Sequence, residues 1–195
     1  MAGRATHDRY GLRGHAGRSA ALARLLHKDS IQLLELYRKS ESLPSLPVAG
    51  DYLVSIPPLA PQLSDEEKIS ILHAALQECQ RLLDDAITRV DAEFTEDVEG
   101  EYKKQRTTVR DRLGHLLAST ERLLGDGKRF EAEVKEELDG SESFGLKMWF
   151  LRVLQELVHW TGQTSDTLNS LPVEMEKATK TMSQSTRRGS RKIRK

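Results

Sequence analysis

Cysteine is almost missing. Cys79 is the single one in 195 residues, which excludes an internal disulfide and leaves packing alone to hold the fold. It sits in an apolar stripe with Leu72, Leu76 and Leu83, where a buried, inert thiol is expected rather than a nucleophile. Proline is scarce and unevenly placed: Pro44, Pro47, Pro57, Pro58 and Pro61 fall in one stretch, and Pro172 is the only other. Gln62 to Leu171 contains none, the condition for long unbroken helices. An excess of one charge is also absent, since 30 basic side chains balance 30 acidic ones. No global field draws the chain to nucleic acid or to an anionic membrane.

Long apolar runs are lacking as well. Met1 to Arg18 is rich in Gly and Arg, so neither a signal peptide nor a membrane anchor is expected there and a disordered arm is. At the other end Arg187, Arg188, Arg191, Lys192, Arg194 and Lys195 follow a Ser/Thr-rich stretch, and residues 172–195 are expected to form a disordered basic tail. Membrane insertion and nucleic-acid partners are not expected.

The chemistry-bearing motifs are missing too. There is no phosphate-binding Gly-rich loop, no His-Glu-x-x-His and no nucleophile elbow. Glu156 and His159 make one Glu-x-x-His, the spacing of di-iron carboxylate bundles, but those need the motif twice plus two further glutamates. The expectation is therefore no enzyme, no catalytic residue, no cofactor and no metal.

What the chain does contain is helical periodicity. Leu22, Leu26, Leu33, Leu36 and Tyr37, with Leu25 and Leu34 widening the stripe, predict a helix over about 19–41. Ser64 and Glu67 form a capping box ahead of Ile69, Leu72, Leu76, Cys79, Leu83, Ala86, Ile87 and Val90, predicting a helix over about 64–91. Tyr102, Val109, Leu113, Leu116, Leu117 and Leu124 predict a third over about 98–124, ended by Gly125-Asp126-Gly127. Leu146, Phe150, Val153, Leu154, Leu157, Trp160, Leu168 and Leu171 predict a fourth over about 144–171, stopping before Pro172. The charged stretch Lys128 to Leu138 is compatible with a short extra helix.

Connection lengths then constrain topology. Helices of about 25 residues are roughly 40 Å long, and the first connection, about 22 residues, reaches roughly 70 Å when extended. The third connection, Gly125 to Ser143, reaches roughly 60 Å. The second, around Ala92 to Asp97, is too short to cross the bundle, so helices two and three are antiparallel neighbours. The predicted fold class is all-α, an up-up-down-down four-helix bundle with two long crossover loops, occupying residues 19–171 as one domain. An up-down bundle with two long insertions is the competing topology.

Phe144 and Lys147 open the fourth helix. Their spacing puts a flat apolar group and a cation one turn apart, either as a contact patch for a partner or as a core Phe beside a solvated Lys.

The chain resembles the ciliary neurotrophic factor and cardiotrophin branch of the interleukin-6 cytokines. Phe144-Gly145-Leu146-Lys147-Met148-Trp149, Val153-Leu154-Gln155-Glu156-Leu157 and Trp160-Thr161 carry the strongest likeness, to the fourth helix of the neurotrophic factor. Phe94-Thr95 with Glu99-Gly100-Glu101-Tyr102 carries a second. Leu22 to Tyr37 and Leu46-Pro47-Val48-Ala49-Gly50 look more like cardiotrophin. The resemblance covers about Ala20 to Leu171 and implies a long-chain cytokine, a monomer that assembles cell-surface receptors and activates JAK/STAT signalling.

It further implies that Phe144 and Lys147 contact the leukaemia inhibitory factor receptor. Faces of the first and third helices would engage the shared interleukin-6-class signal-transducing receptor. A ciliary neurotrophic factor alpha receptor is a further implied partner, but two departures bear on it. The family's basic, histidine-containing stretch is replaced by Gly162-Gln163-Thr164-Ser165-Asp166, and Leu63 lies near the place of a loop tryptophan. Cytoplasmic storage with unconventional release and extracellular action are likewise implied. An intracellular helical adaptor is the alternative, although the paired apolar positions 116/117 and 153/154 fit a globular core better than a strict heptad.

Overall fold

The computed structural model describes residues 5–43, 52–93, 100–125, 129–134 and 143–171, with side chains from residue 15 onward. The described chain is mostly helical and forms a four-helix arrangement: α1 (Ala5–Ser40), α2 (Asp65–Glu93), α3 (Glu101–Leu124) and α4 (Ser143–Ser170). The expected arm and tail at 1–4 and 172–195 lie outside the described residues.

Local chemistry explains the boundaries. At the start of α2 the Ser64 backbone N–H donates to Glu67 Oε2 at 2.9 Å, and the Glu67 N–H donates back to Ser64 Oγ at 3.2 Å. The capping box thus satisfies donors that the first turn would otherwise leave open. At the end of α3, Gly125 adopts φ 54° and ψ −129° while its N–H donates to Glu121 O at 3.2 Å, a positive-φ stop that a side chain would strain.

The first helix departs from expectation. It begins at Ala5, inside the stretch read as a disordered arm. Gly11, Gly14 and Gly17 weaken this segment, yet no proline blocks it. Extending an existing helix costs far less than nucleating one. A second correction concerns the third connection, where residues 129–132 are not helical and β2 (Glu133–Val134) pairs antiparallel with β1 (Val54–Ser55). The two long connections therefore touch, and Val54 opposite Val134 supplies a β-branched pair suited to that ladder.

Helix directions follow from side-chain contacts. Ser19 Oγ meets Ser119 Oγ at 2.6 Å, Gln105 Nε2 donates to Asp29 O at 2.9 Å, and the Tyr37 and Tyr102 rings lie 5.8 Å apart. So α1 runs against α3. His27 Nδ1 is 3.1 Å from Val158 O, and the Tyr37 hydroxyl donates to Lys147 O at 3.1 Å, so α1 also runs against α4. In the same way α2 opposes α3 through His73 with Thr120, Asp84 with Arg110 and Asp91 with Arg106. Arg89 over the Trp149 ring at 5.1 Å, with Cys79 near Glu156, sets α2 against α4. The packed faces are α1 with α3 and α4, and α2 with α3 and α4.

Most predicted stripe residues are buried, including Leu26, Leu33, Tyr37, Leu72, Leu76, Leu83, Val109, Leu113, Leu116, Phe150, Leu154 and Leu157. Cys79 is buried too, and desolvation pushes its thiol well above the ordinary value. Leu22, Leu36, Ile87, Val90, Tyr102, Leu146 and Leu171 are partly buried, and Leu25 is the one exposed stripe residue, at 51%. One residue is 100° of helix, and at this point only Leu26 meets the neighbouring helices.

Between α2 and α3, His73 is buried, with Nδ1 2.7 Å from Thr120 Oγ1 and Nε2 3.2 Å from Glu121 Oε2. Desolvation pushes its imidazole below the ordinary 6.5, Glu121 opposes that shift and Arg129 reinforces it. The unfolded chain therefore takes up this proton more readily than the folded one, so the stability held above pH 6.5 is lost as pH falls. Urea midpoints at about pH 7.5 and about pH 5.5 are expected to fall further for wild type than for His73→Gln. Equal drops would remove His73 as the cause.

Candidate functional site

The site predicted at the opening of α4 is built where the end of α1, the start of α3 and the start of α4 converge. Deep in this corner the Phe150 ring lies 4.8 Å from the Tyr37 ring, and Tyr37 is 5.8 Å from Tyr102. Burial pushes the Tyr37 phenol well above its ordinary value, with Glu41 adding to the shift. The hydroxyl therefore stays protonated and acts as a donor, and it donates to the backbone carbonyl of Lys147. One buried aromatic thus joins the core to the second turn of α4.

Above that floor the two predicted residues differ. Phe144, the second residue of α4, is 66% exposed, the largest exposure among the described large hydrophobics. Lys147 is half-buried, and its Nζ lies 2.6 Å from Glu41 Oε2. An exposed ring therefore sits one helical turn from a cation held by α1. Behind them Trp149 is buried under the Arg89 guanidinium, and Arg106 clasps Asp91 through two bonds of 2.7 and 2.8 Å while covering Tyr102.

No known protein family matches the chain, and no curated protein matches it either. Chemistry at the site has to be read from its own groups. Among the described residues no three His, Cys, Asp or Glu side chains are placed to hold a metal ion. No described helix is long and apolar enough to cross a membrane.

The other motif considered from sequence, Glu156 with His159, is pulled apart in role. Glu156 is buried, and its carboxylate accepts from the Leu53 backbone N–H at 2.8 Å and from Trp160 Nε1–H at 2.9 Å. Desolvation raises its pKa above the ordinary carboxylate value, against the opposing pull of Leu53, Trp160, Val54 and Arg152. His159 instead stacks on Tyr52, ring centres 4.5 Å apart, and meets the Trp160 edge at 4.6 Å. One member anchors the first connection, and the other supports the exposed Tyr52.

Sequence reasoning missed Glu41, Tyr37 and Tyr52 as parts of these clusters. Tyr37 was legible only as one more apolar stripe position. Glu41 carried no signal, since its partner lies more than a hundred residues away. Of the segments carrying the family resemblance, Leu46 to Gly50 and Phe94 to Glu99 lie outside the described residues.

Proposed function

We propose that the chain is a ciliary-neurotrophic-factor-like cytokine that assembles cell-surface receptors at separate faces of a stiff bundle. Its mechanism is binding geometry, with no bond made or broken. Phe144 and Lys147 contact the leukaemia inhibitory factor receptor, faces of α1 and α3 engage the shared interleukin-6-class transducer, and an alpha receptor is a further partner. Kinases bound to the gathered receptors then start JAK/STAT signalling, with neurotrophic activity implied by the resemblance.

The observation that carries this reading is the exposure of Phe144 beside a tethered Lys147. A large aromatic left in water at a helix entry contributes little to folding, but it can supply the desolvated anchor on which an interface depends. The helix directions lend support, because α1 and α2 opposing both α3 and α4 fits the up-up-down-down order. Overhand passages through the first and third connections are part of this reading.

Binding of Phe144→Ala and of Lys147→Ala to the purified leukaemia inhibitory factor receptor tests the reading. Each anchor is expected to cost about 2 kcal/mol or more, near 30-fold in Kd, with helix content unchanged. Wild-type affinity in both variants would remove the assignment.

A further inference from the structure

We infer that Glu41 is a positioning residue for the receptor contact, holding Lys147 in the conformation that the partner meets. This rests on the receptor reading of Phe144 and Lys147. The two charged groups come from different parts of the fold, Glu41 just past the end of α1 and Lys147 in the second turn of α4. Their Nζ to Oε2 distance is 2.6 Å, and their side chains are 29% and 25% exposed.

That environment separates this pair from the exposed ion pairs elsewhere on the molecule. Arg81 with Glu78, for example, joins two residues of one helix with the arginine half exposed, the kind of pair that water and salt largely level. At Lys147 both ends of the lysine are fixed instead. The Tyr37 hydroxyl donates to its carbonyl and Glu41 engages its ammonium, while Tyr37 itself is locked between Phe150 and Tyr102.

A lysine side chain loses much rotamer freedom when a partner immobilises it. Here that ordering has already occurred in the free protein. Lys147 still reaches the surface, its side chain 29% exposed, so a partner can approach it from the solvent side while Glu41 stays in place. The carboxylate thus acts on the interface through Lys147 and need not touch the partner.

The test is a double-mutant cycle on affinity for the purified leukaemia inhibitory factor receptor, using Glu41→Ala, Lys147→Met and both together, with Phe144→Ala as reference. Glu41→Ala alone is expected to weaken binding about three- to tenfold, the loss of one pre-ordered long side chain. With Lys147→Met already present, it is expected to cost nothing further. Glu41→Gln keeps an acceptor and is expected to fall between wild type and Glu41→Ala.

An equal loss from Glu41→Ala in both backgrounds would show a structural role or a direct contact and overturn the inference. So would an unchanged affinity for Glu41→Ala while Lys147→Met binds weakly. Wild-type binding by both Phe144→Ala and Lys147→Met would instead bring down the receptor reading, and this inference with it.

Discussion

Phe150→Ala is expected to lower the unfolding free energy by about 3–5 kcal/mol, the range for emptying a large aromatic site in a packed core. Phe150 is fully buried. Its ring packs against Tyr37 from α1, so truncation removes apolar burial and an aromatic pair together. Neighbouring helices relax only partly into such a void. Urea unfolding followed by circular dichroism measures the effect, and Phe144→Ala is the control, because its 66% exposed ring has little burial to lose. A cost below about 1 kcal/mol for Phe150→Ala would contradict the packing described for this corner.

The same variant reaches the proposed contact indirectly. Tyr37 stands between Phe150 and the carbonyl of Lys147, so a void beneath Tyr37 frees the lysine's backbone anchor. Receptor affinity should therefore drop even in the fraction that remains folded.

Glu156→Ala is expected to cost roughly 2–4 kcal/mol, because it orphans buried donors at about 1–3 kcal/mol each. The Leu53 N–H and the Trp160 indole N–H both lose their acceptor, and Leu53 and Val54 are nearly sealed from solvent, so water cannot replace it without opening the connection. Removing a desolvated carboxylate offsets part of the loss. Two measurements separate local from global damage: urea unfolding for total stability, and amide hydrogen exchange at Leu53 for the connection. Protection at Leu53 equal to wild type would refute the anchoring role of Glu156.

The two candidate motifs of α4 show how far local sequence reaches. Phe144 and Lys147 were legible as a pair because three-residue spacing fixes their neighbourhood on any helix, whatever surrounds it. Glu156 and His159 have the same spacing and both meet Trp160, yet they take different roles. Spacing places side chains one turn apart, but what each one meets depends on the neighbouring chain, and here that is Leu53 for one and Tyr52 for the other.

Periodicity and punctuation by themselves determined the helical class, the four main segments, the Ser64 capping box and the Gly125 stop, because backbone hydrogen bonding and side-chain spacing within one turn settle those features. Tertiary structure decided which of Leu25 and Leu26 enters the core and that Val134 pairs with Val54 instead of joining a helix. It also decided that Glu41 crosses to Lys147 and that a buried carboxylate holds the first connection. Those outcomes depend on contacts between residues some 80 to 110 positions apart. Such contacts form only when packed helices bring the chain back on itself, and no local pattern encodes them.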